Sequence, residues 1–191
     1  MVTDPAPKSG PRAVEFAASD ALASLALPSA EELQARARAF EEALKGEGVP
    51  AVKRAGVAIL EFLAEFYEVP RPRLSVLGSR PKSSTESGWS WELFGDYDLE
   101  TAVIRIWMRT AVLGKVTSYR GLLNTLLHEF CHHLDVVKLG FCDTPHTRGF
   151  YARVDALYHL ALATPPEKRK PLVWIRARNV WRIDWAKLRA R

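Results

Sequence analysis

His128, Glu129 and His132 form a His-Glu-x-x-His pattern, and these residue types can carry out metal-assisted hydrolysis. Two histidines four residues apart on a helix project from one face, so both imidazoles can reach the same ion. Neutral imidazole is a good zinc ligand, and zinc lowers the pKa of bound water towards about 7. The Glu129 carboxylate can accept a proton from that water. The pattern therefore predicts a zinc site with Glu129 as the catalytic acid–base.

A catalytic zinc site usually has a third protein ligand and keeps one position for water. His146 is the first candidate, because it follows the helix-ending Gly140 and a short turn that can bring the chain back over the helix end. Asp155, on the following predicted helix, is the second candidate, and Asp143 is a weaker one. The alternative interpretation of His146, a surface histidine near a helix N-terminus, stays open.

Three neighbours of the pattern need separate interpretation. Asp135 lies close in helical angle to His128, so it is either a carboxylate that orients a ligand imidazole or a charge at the solvent edge of the helix. His133 points about 100° away from His132 and is predicted not to bind the metal, although a supporting role stays open. Cys131 is predicted to be a small buried residue, because its side chain points away from both histidines.

The pattern must be positioned by a largely buried helix over residues 120–137, whose apolar side chains cover a wide surface. Ser118 or Thr117 can cap this helix, and Gly140 ends it. The other predicted elements alternate with loops and indicate an α+β domain. They are a disordered segment 1–12, a weakly helical segment 13–27, helices 29–45, 50–69 and 147–163, strands 73–77, 89–94 and 102–107, a polar loop 78–88 and a hairpin turn 95–98.

The run 126–132 (Leu-Leu-His-Glu-Phe-Cys-His) and the Pro-His-x-x-x-Phe around His146 resemble the SprT-like (Spartan-type) metallopeptidase domain. The resemblance covers about residues 55–163 and is strongest over 122–151. It implies a zincin-like fold, in which a small mixed sheet with a hairpin packs against the active-site helix. It also implies that an edge strand, here 102–107, binds an extended peptide by strand addition.

The resemblance further implies His128, His132 and His146 as zinc ligands and Glu129 as the catalytic residue. The sequence departs from the family at Thr147, where glycine often follows the third histidine. Other zincin groups fit less well. A metzincin needs a histidine where Lys138 stands, and a thermolysin-like site needs a later glutamate, which residues 133–163 do not contain.

The net charge of +5 is concentrated at the C-terminal end of the 191-residue chain. Residues 167–191 carry nine Lys/Arg and two Asp/Glu, a net charge of +7, while the preceding residues carry −2. Trp174, Trp181 and Trp185 interleave with arginines and are predicted to lie near one face of a helix. Such a tail can bind nucleic acid, lie on an anionic membrane, or dock onto its own domain.

The remaining composition is that of an ordinary globular chain, with 48% hydrophobic and 26% charged residues. We expect no membrane span and no signal peptide, and therefore a cytoplasmic protein. Two cysteines favour free thiols and exclude a four-cysteine zinc ribbon. We expect a flexible or weakly helical segment 1–28, a zincin-like metallopeptidase domain 29–165 and a basic, Trp-rich tail 166–191.

The resulting hypothesis is a Zn²⁺-dependent peptidase that acts on a protein or peptide substrate. Two alternatives remain: a zinc-containing DNA-binding or regulatory module with weak or no peptidase activity, and a non-peptidase metal hydrolase. Glu129 favours an enzyme, since structural zinc sites usually close all four positions with Cys or His.

Overall fold

The computed structural model describes residues 1–84 and 90–190 and contains both helices and small sheets, which confirms the α+β class. Residues 85–89, part of the predicted loop 78–88 and the first residue of the predicted strand 89–94, lie outside the described residues. The helices are α1 (Pro11–Ala21), α2 (Ala30–Lys45), α3 (Val49–Phe66), α4 (Tyr119–Leu134), α5 (Arg148–Ala161) and α6 (Trp185–Ala190). The strands are β1 (Arg73–Ser79), β2 (Lys82–Ser84), β3 (Ser90–Glu92), β4 (Gly95–Asp98), β5 (Val103–Arg109), β6 (Trp174–Ala177) and β7 (Val180–Ile183).

Helices α2 and α3 form where the sequence predicts them. The Ser29 side chain accepts a hydrogen bond from the Glu32 backbone N–H and caps α2. Pro50 stands in the first turn of α3, where its missing N–H costs nothing. The apolar face of each helix is buried in the same core, which also includes the inward face of the sheet and most of α4. Among the described residues, no helix combines the length and apolar character needed to cross a bilayer.

The main sheet has the strand order β1-β5-β4, with β1 and β5 parallel and β4 antiparallel to β5. The predicted hairpin turn 95–98 is therefore wrong, because Gly95–Asp98 is itself a strand. The prediction of 102–107 as the edge strand is also wrong, because β5 lies in the middle and β4 forms the edge. The segment 90–92 pairs with β2 in a separate sheet and not with β5.

Side-chain contacts explain why a turn-like sequence forms strand β4. Asp96 accepts two hydrogen bonds from the Arg105 guanidinium, at 2.7 and 2.9 Å, across the β4–β5 pair. The Tyr97 hydroxyl lies 2.8 Å from His133 Nδ1 on α4. Asp98 instead accepts backbone N–H groups of the following turn, including Thr101 at 2.9 Å. These contacts stabilise an extended conformation that local sequence preference does not favour.

Helix α4 and the segment after it position the histidine pattern. The Ser118 hydroxyl accepts from the Gly121 N–H at 3.2 Å and caps α4, as predicted. After Leu134 the helix widens into a single π-helical turn, Asp135–Leu139, which ends at Gly140 in the left-handed region with φ of 72°. Thr147 then caps α5 by accepting from the Phe150 N–H at 3.0 Å. That cap gives the residue after His146 a structural role of its own.

Both predictions for the chain ends are wrong. The predicted C-terminal helical tail is a β-hairpin, β6–β7, followed only by the six-residue helix α6. The predicted disorder of residues 1–12 is contradicted because Val2 bridges Arg182 of β7, and the Thr3 N–H donates to the Trp181 carbonyl at 2.9 Å. The hairpin docks onto the domain through Trp174, whose ring centroid lies 5.7 Å from that of Tyr151 on α5.

Candidate metal centre

Three imidazoles converge where α4 meets the loop that leads into α5. His128 Nε2 lies 3.0 Å from His146 Nε2 and 3.1 Å from His132 Nε2. One nitrogen from each ring lies within 4.8 Å of the other two, so these three residues could hold one metal ion. His146 is thus brought to the other two histidines, as the sequence predicts. The left-handed Gly140 and the short turn after it reverse the chain and make this possible.

The two nitrogen–nitrogen separations that involve His128 agree with a tetrahedral ion. Two imidazole nitrogens that bind zinc at about 2.0–2.1 Å with a tetrahedral angle lie about 3.3 Å apart. The observed separations of 3.0 and 3.1 Å come close to that value. Three neutral nitrogen donors with one position left open form a donor set that suits zinc. The residues present therefore fit a single divalent ion.

A hydrogen-bond chain fixes the orientation of His132. Its Nδ1 lies 2.7 Å from Thr144 Oγ1, and the Thr144 hydroxyl donates to Asp135 Oδ2 at 3.3 Å. Because the carboxylate accepts the hydroxyl proton, the hydroxyl oxygen accepts Nδ1–H, and the lone pair of the ring lies on Nε2. Asp135 thus supports the His132 imidazole through Thr144, while its other oxygen accepts from Arg153 at 2.7 Å. Asp135 is fully buried, so the solvent-edge interpretation is wrong.

Burial keeps His128 and His132 neutral. Removal from water, reinforced by the nearby His146, lowers the pKa of His128 to about 3. Burial also lowers the pKa of His132 well below its usual value, and the neighbouring histidines add to this effect. A metal ion binds the unprotonated ring, so these two side chains need not lose a proton at neutral pH before they bind.

Glu129 lies at the floor of the site and is 5% exposed. Burial, and then the nearby Asp96 charge, raises the pKa of Glu129 to about 8. The close approach of β4 contributes to this burial. A Cβ on Gly95 would lie 2.9 Å from Glu129 Oε1 and 2.4 Å from Thr125 Cγ2, so only glycine fits there without displacement.

Two cavities meet at the site. One, of about 390 Å³, is lined by the three histidines and by Tyr97 of the edge strand. The other, of about 670 Å³, has a more apolar wall that includes Phe94 and Trp185. His128, Glu129 and Gly95 line both cavities, so these residues lie where the two cavities adjoin.

The alternative ligands do not converge with the three histidines, although Asp143 lines the same cavity. Asp155, the second candidate, is paired with His159 one turn along α5, with Oδ1 and Nε2 3.4 Å apart. Asp143 is paired with Arg12 at 2.7 Å. Neither belongs to the group of ligand atoms that converges at the site.

The two remaining neighbours also point away from the site. His133 Nε2–H donates to the Pro70 carbonyl at 2.7 Å, which leaves Nδ1 to accept from the Tyr97 hydroxyl. The two hydrogen bonds of His133 therefore support strand β4 and the segment at Pro70, and neither is made with the three clustered histidines. Cys131 is 1% exposed in the core, and both cysteines are free.

No sequence pattern indicated two residues that contact the candidate ligands. Thr144 contacts His132, but a threonine in a turn carries no sequence signal for such a contact. Asp4 accepts a hydrogen bond from the His146 backbone N–H at 2.9 Å, and its Oδ2 lies 3.5 Å from His146 Nδ1. His146 in turn holds the pKa of Asp4 below its usual value. Asp4 lies 142 residues before His146, so no local pattern could indicate the contact.

Comparison of the chain with protein-family models, with curated proteins and with solved structures gives no match. The assignment of the site therefore depends on its own residues and geometry.

Proposed function

We propose that this chain is a zinc-dependent metallopeptidase of the SprT-like, zincin-like type, which hydrolyses peptide bonds in a protein or peptide. The observation that carries the proposal is the convergence of three imidazole nitrogens beside the buried carboxyl of Glu129. A purely structural site would use a fourth protein ligand. Here the three histidines share an open cavity with the Glu129 carboxyl group.

Glu129 is the proposed acid–base. The bound ion would act as a Lewis acid that lowers the pKa of water and polarises the peptide carbonyl. Glu129 accepts a proton from the attacking water while the water oxygen bonds to the carbonyl carbon. Glu129 then returns the proton to the amide nitrogen as the C–N bond breaks. A nearby cation favours the ionised carboxylate, so loading the site converts Glu129 from a protonated acid into a base.

The proposed substrate position follows from the edge of the sheet. Within the described residues, β4 pairs only with β5, which leaves its other edge unpaired, and Gly95, Asp96 and Tyr97 of this strand line the cavity that contains Glu129. An extended peptide can add to such an edge through backbone hydrogen bonds. The peptide would then cross the face of His128 and Glu129. The edge strand of this proposal is β4, in place of the segment 102–107.

Metal analysis of the purified protein tests the metal centre directly. We expect one zinc per chain in the wild type. His128→Ala, His132→Ala and His146→Ala should each bind zinc much more weakly. Each should lose more zinc affinity than the roughly 10–100-fold that follows when a residue that only supports a ligand is removed. His159→Ala is the matched control, because His159 is also on a helix but pairs with Asp155 outside the site. Casein hydrolysis should require zinc and all three ligand histidines. Wild-type protein that binds no zinc, or a His146→Ala variant with unchanged affinity, would contradict the proposal.

A further inference from the structure

His146 is the one ligand that does not lie on the buried helix α4, so its ring needs another support. Its backbone is held on both sides by Asp4: the Asp4 N–H donates to the His146 carbonyl at 2.8 Å, and the His146 N–H donates to Asp4 Oδ2 at 2.9 Å. The same carboxylate oxygen lies 3.5 Å from His146 Nδ1. The opposite ring nitrogen, Nε2, is the one that faces His128. One carboxylate thus contacts both the backbone and the outer ring edge of the third ligand.

The segment that carries Asp4 is itself held in place. Thr3 is 4% exposed, its N–H donates to the Trp181 carbonyl, and its hydroxyl accepts from the Trp181 N–H, both at 2.9 Å. The Val2 carbonyl accepts from the Tyr151 hydroxyl at 3.0 Å. Residues 2–4 therefore form an extended segment between β7 and the loop that precedes α5. The Asp4 carboxylate is presented to His146 from a fixed backbone.

We propose that Asp4 is a positioning residue of the metal centre, which holds His146 with Nδ1–H outward and the Nε2 lone pair directed at the ion. This inference rests on the proposed function, because it presumes that the three histidines bind metal. A carboxylate that accepts the outer N–H of a ligand imidazole fixes its tautomer and raises its basicity. The outer ring nitrogen of His132 also faces a carboxylate, but through the Thr144 hydroxyl at 2.7 Å, which donates to Asp135.

Three variants separate the contributions of Asp4. Asp4→Ala removes the acceptor, whereas Asp4→Asn keeps an acceptor oxygen and removes the charge. Asp143→Ala is the matched control, because Asp143 lies three residues before His146 and is similarly exposed but pairs with Arg12. Zinc affinity is measured by competition with a chromophoric chelator, and ¹⁵N NMR of the imidazole nitrogens reports the tautomer of His146. Urea unfolding of the metal-free proteins checks that each variant is folded.

We expect Asp4→Ala to weaken zinc binding by about 10-fold, Asp4→Asn to weaken it less, and Asp143→Ala to leave it unchanged. In the metal-free proteins, the His146 signals should report a single tautomer with Nδ1–H in the wild type and a mixture in Asp4→Ala. Equal affinity and an unchanged tautomer in Asp4→Ala would overturn the inference while leaving the metal centre intact. If Asp4→Ala does not fold, a wild-type affinity and spectrum in Asp4→Asn would overturn the role of the charge. Wild-type protein that binds no zinc would instead refute the proposed function.

Discussion

Replacing Glu129 by glutamine should make the stability of the metal-free protein less dependent on pH. The folded state keeps the Glu129 proton up to about pH 8, because burial raises the pKa of this carboxyl from 4.5 to about 8. In the unfolded chain the carboxyl regains its ordinary pKa and loses the proton above pH 4.5. Between these values the unfolded state binds fewer protons than the folded state, so the free energy of unfolding falls as the pH rises.

The size of the effect follows from the two pKa values. One pKa unit corresponds to about 1.4 kcal/mol, so the wild type should lose about 3 kcal/mol of unfolding free energy between pH 5 and pH 8 through this group. Glutamine is nearly the same size and carries no titrating carboxyl. The Glu129→Gln variant should therefore gain about 3 kcal/mol relative to the wild type over the same interval.

Urea unfolding at pH 5, 6.5 and 8, with a chelator present, measures this difference. Glu65→Gln is the matched control, since Glu65 is an exposed glutamate on α3. We expect the Glu65→Gln curve to follow that of the wild type. A constant difference between Glu129→Gln and the wild type across the three pH values would refute the reasoning. With zinc, Glu129→Gln should retain the metal and lose at least about 100-fold in casein hydrolysis, because its proton acceptor is missing.

Two further substitutions test the packing around the site. Gly95→Ala should cost about 1–3 kcal/mol in urea unfolding, because its Cβ would lie 2.4 Å from Thr125 Cγ2, whereas Gly78→Ala has nothing within 4 Å and should cost much less. Equal costs would contradict the close approach of β4 to α4. Arg153→Met should lower the unfolding free energy by about 3–5 kcal/mol, because it leaves the buried Asp135 without its cation. Adding Asp135→Asn should recover part of that loss, and a double variant no better than the single one would argue against the ion pair as the cause.

The local part of the site could be predicted from the sequence. The spacing of His128 and His132 sets their relative direction as soon as the segment is helical, and the apolar residues around them require that helix to be buried. His146 could be placed because a glycine and a short turn separate it from the same helix. In each case the geometry depends on fewer than about twenty consecutive residues, within which backbone rules are strong.

The strand β4 shows where such rules fail. Its sequence, Gly-Asp-Tyr-Asp, has the composition of a turn, and turn preference is the stronger local tendency. The strand forms because Arg105 on the neighbouring strand β5 satisfies Asp96, and because His133, 36 residues after Tyr97, satisfies the Tyr97 hydroxyl. The C-terminal tail is a second case in which the local sequence pattern and the fold differ. Its tryptophans fit a helical period, but hydrogen bonds between 174–177 and 180–183 and the left-handed Arg178 produce a hairpin.

The same long-range contacts change how the basic tail should be interpreted. Arg176, Arg178 and Arg182 are exposed on the hairpin, so nucleic-acid binding by the tail stays a prediction. Deletion of residues 167–191 cannot test it cleanly, however, because the deletion removes Trp181, the hydrogen-bond partner of Thr3 next to Asp4. A loss of activity after deletion would follow from displacement of His146 as readily as from loss of a nucleic-acid contact. The two causes can be separated by substitutions that remove the exposed arginine charges and leave the hairpin backbone unchanged.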